Sequence, residues 1–421
     1  MELSREAYEL IVQYVAAKSD LFSLSRVSRA FQAAAERALY NTITMRDVRS
    51  TIELCDVLSR TNRVAKLVVT LNLFVSDPNA TRGEDTQDSE SDSSDTSMED
   101  ISMERYWPSL SAALQHTHRL RCLNVHIESG NTSTAWVLRD CTFRLRSFHC
   151  DFAWDRDLVA FLNGQSALED LFLADYATIP SVSPAESGGE GGNARESGRG
   201  DRSQAQAQNQ ACSSTVPALP FATAVLPPGA SSIHPHALYR LAVLECSYPD
   251  AVISLAPGRP LSRIKTCFSR EDREGKEREL AQLIAGLRLS ESARRIRALD
   301  LADTTYTEEF SLDLLRAVVP TLPDLRYLGT LVLPIGLERL QFFGLLRRLR
   351  KLQAVELEVT DWEPPPSPQA MRALASELRL YCTTVQCVVF VADFERTMMR
   401  VVDGFFKVDY DTNLDNLWRE V

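Results

Sequence analysis

The side chains of this sequence that could do chemistry do not gather into a reactive set. Six histidines are present, and His116/His118, His149 beside Cys150, and His234/His236 are the groupings that suggest metal ligation. A zinc site needs several convergent donors, often supplied by Cys-x-x-Cys pairs. No such pair accompanies these histidines, and spacing alone assembles no set of four ligands, so fortuitous strand or surface histidines are expected. The nine cysteines are an odd number without a tight framework, which predicts free thiols in a reducing compartment. Cys150, Cys246, Cys267 and Cys387 fall in or beside predicted strands, where a thiol packs like a small aliphatic group. The sequence carries no phosphate loop ending in Gly-Lys-Ser/Thr, no dinucleotide fingerprint and no Gly-x-Ser-x-Gly elbow. The chain is therefore not expected to be an enzyme, and no cofactor or metal is expected.

Charge narrows the partners. A formal net charge of -11 over 421 residues argues against a nucleic-acid binder, which needs a concentrated basic surface. The clusters Arg347-Arg348-Leu349-Arg350-Lys351 and Arg294-Arg295-Ile296-Arg297 are expected near helix ends, where cations oppose the dipole. Residues 84–100 hold eight acidic side chains and no basic one. Ser89 and Ser97 there each precede an acidic residue by three positions, a pattern open to acid-directed phosphorylation, although a solubilising insert suffices to explain the stretch. No run of eighteen apolar residues occurs and the first residues do not read as a signal peptide, so no membrane partner is expected and the location is expected to be cytoplasmic, nuclear or both. The glycosylation sequons at Asn79 and Asn131 then read as chance matches.

The elements that must position these residues repeat. Apolar residues at positions 1, 4 and 6 recur at Val64/Leu67/Val69, Leu120/Leu123/Val125, Leu145/Phe148/Cys150, Leu168/Leu171/Leu173 and Leu238/Leu241/Val243. They continue at Ile264/Cys267/Ser269, Ile296/Leu299/Leu301, Leu325/Leu328/Thr330, Leu352/Val355/Leu357 and Val385/Val388/Phe390. Two long interruptions apart, successive units start about 23 to 33 residues apart, near the leucine-rich-repeat period. Helix-like stretches lie between them, as at Tyr106–Leu114, Leu158–Leu162, Leu280–Leu287, Leu312–Val319, Leu337–Leu346 and Met371–Leu380. The predicted fold is α/β: an irregular leucine-rich-repeat-like solenoid over residues 42–395, with parallel strands on one side and helices on the other. Residues 77–103, rich in Ser, Asp and Glu, and 178–235, rich in Gly, Ser, Gln, Ala and Pro, are expected to be disordered insertions. Residues 396–421, with Phe405, Phe406, Leu414, Leu417 and Trp418, are expected to cap the last repeat. Between the second and third apolar positions of a unit, one side chain points away from the core. Those residues are Asn124, His149, Phe172, Ala242, Phe268, Asp300, Gly329, Glu356 and Val389. Aromatic anchors with a polar rim make this column a candidate protein-binding face, with Asn124, His149, Phe172, Phe268, Asp300 and Glu356 as the substrate-binding candidates.

Residues 1–41 differ in kind. Ala7, Leu10, Ile11, Tyr14 and Val15 form one helical stripe, started by Ser4 as N-cap. Asp20 is the expected cap of a second helix carrying Leu21, Leu24, Val27 and Phe31, and a third is rich in alanine. The Leu3 and Glu6 start, Leu-Ile-Val-Gln-Tyr-Val, the Asp20-Leu21 pair and the run from Leu24 to Phe31 resemble an F-box, particularly those of fungal F-box proteins. Ser4 stands where that family usually has proline. The resemblance implies a substrate-receptor subunit of a Skp/cullin/F-box ubiquitin ligase, in which Leu3, Leu10, Ile11, Val15, Leu21, Leu24, Val27 and Phe31 form the helical core and the adaptor-facing surface. A Skp-type adaptor, through it a cullin, and an unidentified protein substrate would be the partners. The alternative is a repeat scaffold without ligase function, its helices serving as a cap.

Overall fold

The structure, a computed structural model, describes residues 4–75, 103–127, 134–174, 233–247, 249–289, 291–303, 305 and 307–421. The expected insertions lie outside these residues except for Met103 and residues 233–235, as do Leu3, Ser89, Ser97, Asn79 and Asn131.

Three helices come first, α1 (Arg5–Gln13), α2 (Lys18–Ser25) and α3 (Arg29–Asn41). Ser4 and Ser28 accept hydrogen bonds from the backbone N–H groups of Ala7 and Phe31, each satisfying an orphan donor of the first turn. Asp20 does not cap α2: the helix starts at Lys18 after Ala17, and Asp20 lies in its first turn. There its carboxylate still opposes the positive helix end. Val12, Leu21, Ala34 and Ala35 form a small core, joined by Tyr8, Val15, Leu24, Phe31 and Leu39. The stripe of α1 is split by this packing. Val15 turns inward, whereas Leu10, Ile11 and Tyr14 face solvent.

β1 (Thr42–Met45) follows α3 with no residue between them. It begins a single sheet whose strands lie in chain order: β2 (Thr70–Val75), β3 (Cys122–Ile127), β4 (Ser147–Cys150), β5 (Asp170–Leu173), β6 (Val243–Cys246) and β7 (Arg263–Cys267). β8 (Ala298–Ala302), β9 (Tyr327–Val332), β10 (Ala354–Glu358), β11 (Cys387–Ala392), β12 (Glu395–Val402) and β13 (Phe405–Asp409) complete it. All pairings to β11 are parallel; β12 and β13 close the array as an antiparallel hairpin. Parallel neighbours need crossovers, and among the described residues α-helices lie in most of them. These are α4 (Val48–Arg60), α5 (Asn62–Ala65), α6 (Met103–His116), α7 (Arg156–Asn163), α8 (Pro249–Leu255), α9 (Arg273–Leu289), α10 (Glu308–Thr321), α11 (Glu338–Leu346) and α12 (Pro368–Tyr381). Their apolar faces and one face of the sheet share a continuous core from Ile43 to Phe406.

Six expected repeat triads occupy that core as predicted, those starting at Leu120, Leu145, Leu168, Ile296, Leu352 and Val385. Four shift. In the first unit Val64 and Ala65 belong to α5, and the strand triad is Val68/Leu71/Leu73. In the fifth it is Leu241/Leu244/Cys246, and in the sixth Leu261/Ile264/Thr266. In the eighth, a bulge between β9 and β10 pairs Leu331 rather than Thr330 with Leu357. Such an extra residue shifts the side-chain alternation beyond it.

The basic clusters sit at helix ends as expected: Arg347 follows the last residue of α11 and Lys351 pairs with Asp324 at 2.7 Å, while Arg294 ends a short 3-10 turn before β8.

Candidate functional site

The sheet face away from the helices carries the column of interest, and strand register sets its order. Thr44, Asn72, Asn124, His149, Phe172, Glu245, Lys265 and Asp300 are aligned partners across β1 to β8. Asn124 donates its side-chain amide to Asn72 at 2.7 Å, and Asn72 donates to Thr44 at 3.2 Å. This ladder adds side-chain hydrogen bonds to the backbone pairing of three strands. Beyond it is a row of rings. Phe74 stacks on His126 at 5.6 Å, and Phe172 meets both His126 and His149 at 5.6 Å. Burial, helped by His149, lowers the basicity of His126.

Next to the rings the face turns acidic. His149 Nε2 lies 3.1 Å from Asp170, whose carboxylate also receives Arg419 at 2.9 Å on both oxygens. Burial works to raise the Asp170 pKa, but His149 and Arg419 outweigh it and hold the group below its ordinary value. Glu245 takes the other arm of the Arg419 fork at 2.7 Å, and Lys265 lies 3.5 Å away. Asp300 lies 3.9 Å from Lys265, and the Arg396 guanidinium also acts on it. Burial, with Glu356 nearby, pushes its carboxyl up to about 6. Glu356 accepts from the Tyr327 hydroxyl at 2.6 Å and pairs with Arg396.

Arg419 comes from the C-terminal stretch, which does more than cap the last repeat. After β13 the chain turns back across the sheet, and Leu414 to Asn416 lead into the short α13 (Leu417–Glu420). Leu417 and Trp418 are buried, Trp418 to 2% exposure, against Ala298, Tyr327, Ala354, Cys387, Val389 and Met398. The Arg419 guanidinium stacks over the Trp418 ring at 4.5 Å while binding Asp170 and Glu245. Arg263 donates to the Val421 carbonyl at 3.3 Å, and Arg396 bonds Asp415 at 3.1 Å.

The expected column therefore divides. Asn124, His149 and Phe172 lie together on the part of the face left partly accessible. Asp300, Glu356 and Val389 are on the same face but buried. Ala242 precedes β6, and Glu245 occupies its expected place. Phe268 follows β7 and packs on Phe310 of α10 at 5.2 Å, so Lys265 points outward instead. Gly329 is buried, and a Cβ there would stand 1.9 Å from Asp300 Oδ1. Asn72, Phe74 and His126 belong to the site but were not expected; alternation from Leu71/Leu73 and Leu123/Val125 was the signal available.

The histidine groupings do not converge. His116 bonds the Ala112 carbonyl, His118 bonds Thr142, and the His234 backbone N–H donates to Asn163. Cys150, Cys246 and Cys387 are buried in strands, and Cys267 is half-buried at the end of β7. Among the described residues no helix is long and apolar enough to cross a membrane.

On the N-terminal module, Leu21 is buried, Val15, Leu24 and Phe31 are half-buried, and Leu10, Ile11 and Val27 are exposed. The predicted set thus separates into residues that hold the helices together and residues that remain at the surface.

No protein-family model and no curated protein matches the chain by sequence. Among solved structures it is similar to the leucine-rich repeat-containing protein LegL7 from Legionella pneumophila, at 11% identity and a TM-score of 0.32, over 89% of this chain and 82% of that one.

Proposed function

We propose that this chain is a protein-binding receptor of the Skp/cullin/F-box ubiquitin-ligase type. In this reading the N-terminal helices dock a Skp-type adaptor, and the far face of the sheet holds a protein substrate. The chain makes and breaks no bonds. It supplies proximity, raising the effective concentration of a substrate lysine near a ubiquitin-loaded enzyme.

The observation that carries the reading is the exposed apolar surface of a module with a very small core. Leu10 is 54%, Tyr14 84% and Val27 66% exposed, with Ile11 and Phe22 also at the surface. Surface of this kind on helices too few to form a large core fits a module completed by a partner. The direct passage from α3 into β1 would fix the direction in which the sheet presents its cargo. The aromatic row Phe74–His126–Phe172–His149, beside the asparagine ladder, has the composition of an interface centre with a polar rim. That row does not depend on the helical module, which favours a second reading as a non-ligase scaffold.

Capture from cell extract tests both. The intact chain is expected to recover a Skp-type adaptor and a cullin, and Ile11→Glu with Val27→Glu should lower that recovery more than about tenfold with an unchanged thermal melt. Both positions are exposed, whereas Leu24 packs in the module and would confound binding with unfolding. Phe172→Glu should lower substrate recovery alone. A Phe172-dependent partner recovered without adaptor or cullin leaves the scaffold reading.

A further inference from the structure

Between Asp170 and Met398 the far face forms a socket, and residues 414–421 fill it. Ala298, Tyr327, Ala354, Cys387, Val389 and Met398 form one buried cluster with Leu417 and Trp418. Gly329, next to Asp300, keeps the acid row close to the sheet. The socket's polar side holds four carboxylates, Asp170, Glu245, Asp300 and Glu356, against Lys265, Arg263 and Arg396 from the sheet strands. Arg419 adds a further cation, with one fork on Asp170 and Glu245 from adjacent strands. An aromatic anchor and a bidentate arginine are the two side-chain types that most often dominate binding energy.

The occupant is joined to the sheet by a short exposed stretch: Tyr410, Asp411 and Asn413 are at the surface or nearly so, and Thr412 is held by Asp409 and Arg400 side chains. Beside the socket the same face continues into His149 and Phe172. His149 shares the Asp170 carboxylate with Arg419, so the filled and accessible parts of the face are in contact.

We infer that residues 414–421 are an internal ligand of the peptide site of this receptor, and that the partner taken there is a segment of aliphatic–aromatic–arginine sequence that displaces them. This rests on the reading of the far face as the substrate-binding face. An aromatic side chain would take the place of Trp418 in the buried cluster, and an arginine would span Asp170 and Glu245. The approach would pass over Phe172. The internal segment is held in place at a high effective concentration, so it excludes weak competitors and yields to a partner that also engages the aromatic row.

The test uses the full chain with a protease recognition sequence replacing residues 411–413, cut after folding. A fluorescent peptide of residues 413–421 is then added. The cut chain should exchange its own segment for the peptide, and the uncut chain should bind it more than about tenfold more weakly. In the cut chain, Asp170→Lys with Glu245→Lys should weaken peptide binding by more than about tenfold, as should Arg419→Glu in the peptide. Failure of the peptide to exchange into a cut chain that keeps its circular dichroism and melt overturns the inference. So does loss of the fold on cutting, which would make the segment a structural part of the array. If exchange fails while capture of a protein partner still depends on Phe172, the displacement falls and the receptor reading stands. If exchange succeeds but no partner depends on Phe172, the socket stands and the receptor reading falls.

Discussion

Asp300 is the residue whose environment is most at odds with its charge. It lies buried beneath the C-terminal segment, 3.9 Å from Lys265 and close to Glu356. With its carboxyl at about 6, the native state holds a proton that the unfolded chain has released above about pH 4. The native pKa is raised, contrary to the usual carboxylate, so the contribution to stability is present in acid and is lost as pH rises from about 4 through 6. Asp170, held low by His149 and Arg419, works in the opposite direction and loses its contribution as pH falls. Subtracting the two proteins' melts isolates the first effect: Asp300→Asn is expected to gain relative stability between about pH 4 and 6, by up to about 3 kcal/mol. Denaturant midpoints at a series of pH values would show it, and a difference that stays flat over that interval would refute the assignment. Gly329 belongs to the same spot. A methyl group there would overlap Asp300 Oδ1 and also approach its Cα to 2.8 Å, a contact that no rotamer change of Asp300 relieves. Gly329→Ala should therefore cost about 1–3 kcal/mol through backbone displacement, read as a lowered denaturant midpoint with an unchanged slope.

At the scale of the element, the parallel array was legible in the sequence wherever a strand had one possible apolar triad. Leu168/Leu171/Leu173 is an all-leucine triad, and its three side chains are fully buried. Register was lost in the first unit, where two triads satisfy the same spacing, and in the eighth, where a bulge intervenes. Val64/Leu67/Val69 competes with Val68/Leu71/Leu73, and the helical turn of α5 takes the first residues and leaves the second triad to the strand. In the sixth unit the deciding core position is Thr266, 1% exposed and within 3.7 Å of Cys246 Sγ, so a polar residue fills a place where an apolar one was sought. Each such slip exchanges the outward residue, and Phe268 gave way to Lys265. The exposed side of the site was correspondingly half legible: Asn124, His149 and Phe172 follow from alternation, while the covering of Asp300 and Glu356 does not. Arg419 reaches Asp170 across 249 positions of sequence, and no local periodicity encodes a contact at that separation.

For the molecule as a whole, cohesion is unevenly distributed. The repeat units share a continuous apolar core from Ile43 to Phe406, and every parallel strand is held on both sides except β1 at the margin. The three N-terminal helices have a separate core of four buried residues. They meet the array chiefly where α3 runs into β1, with Tyr40 packed on the larger core. Arrays of nearest-neighbour units lose their ends before their middle, and a small module hung on one end has the least to hold it. Native-state hydrogen exchange is accordingly expected to show amides of α1 and α2 opening at much lower free energy than those of β8 to β11. Saturation with a Skp-type adaptor should slow exchange in α1 and α2 and leave β8 to β11 unchanged, since stabilisation by a partner appears in the element that binds it and in whatever unfolds with it. Uniform protection from α1 through β11 in the free chain would mean that the helices and the sheet open as one unit. In that case the apolar surface at Leu10, Ile11 and Val27 would belong to a rigid terminal cap, and the scaffold reading would gain over the ligase.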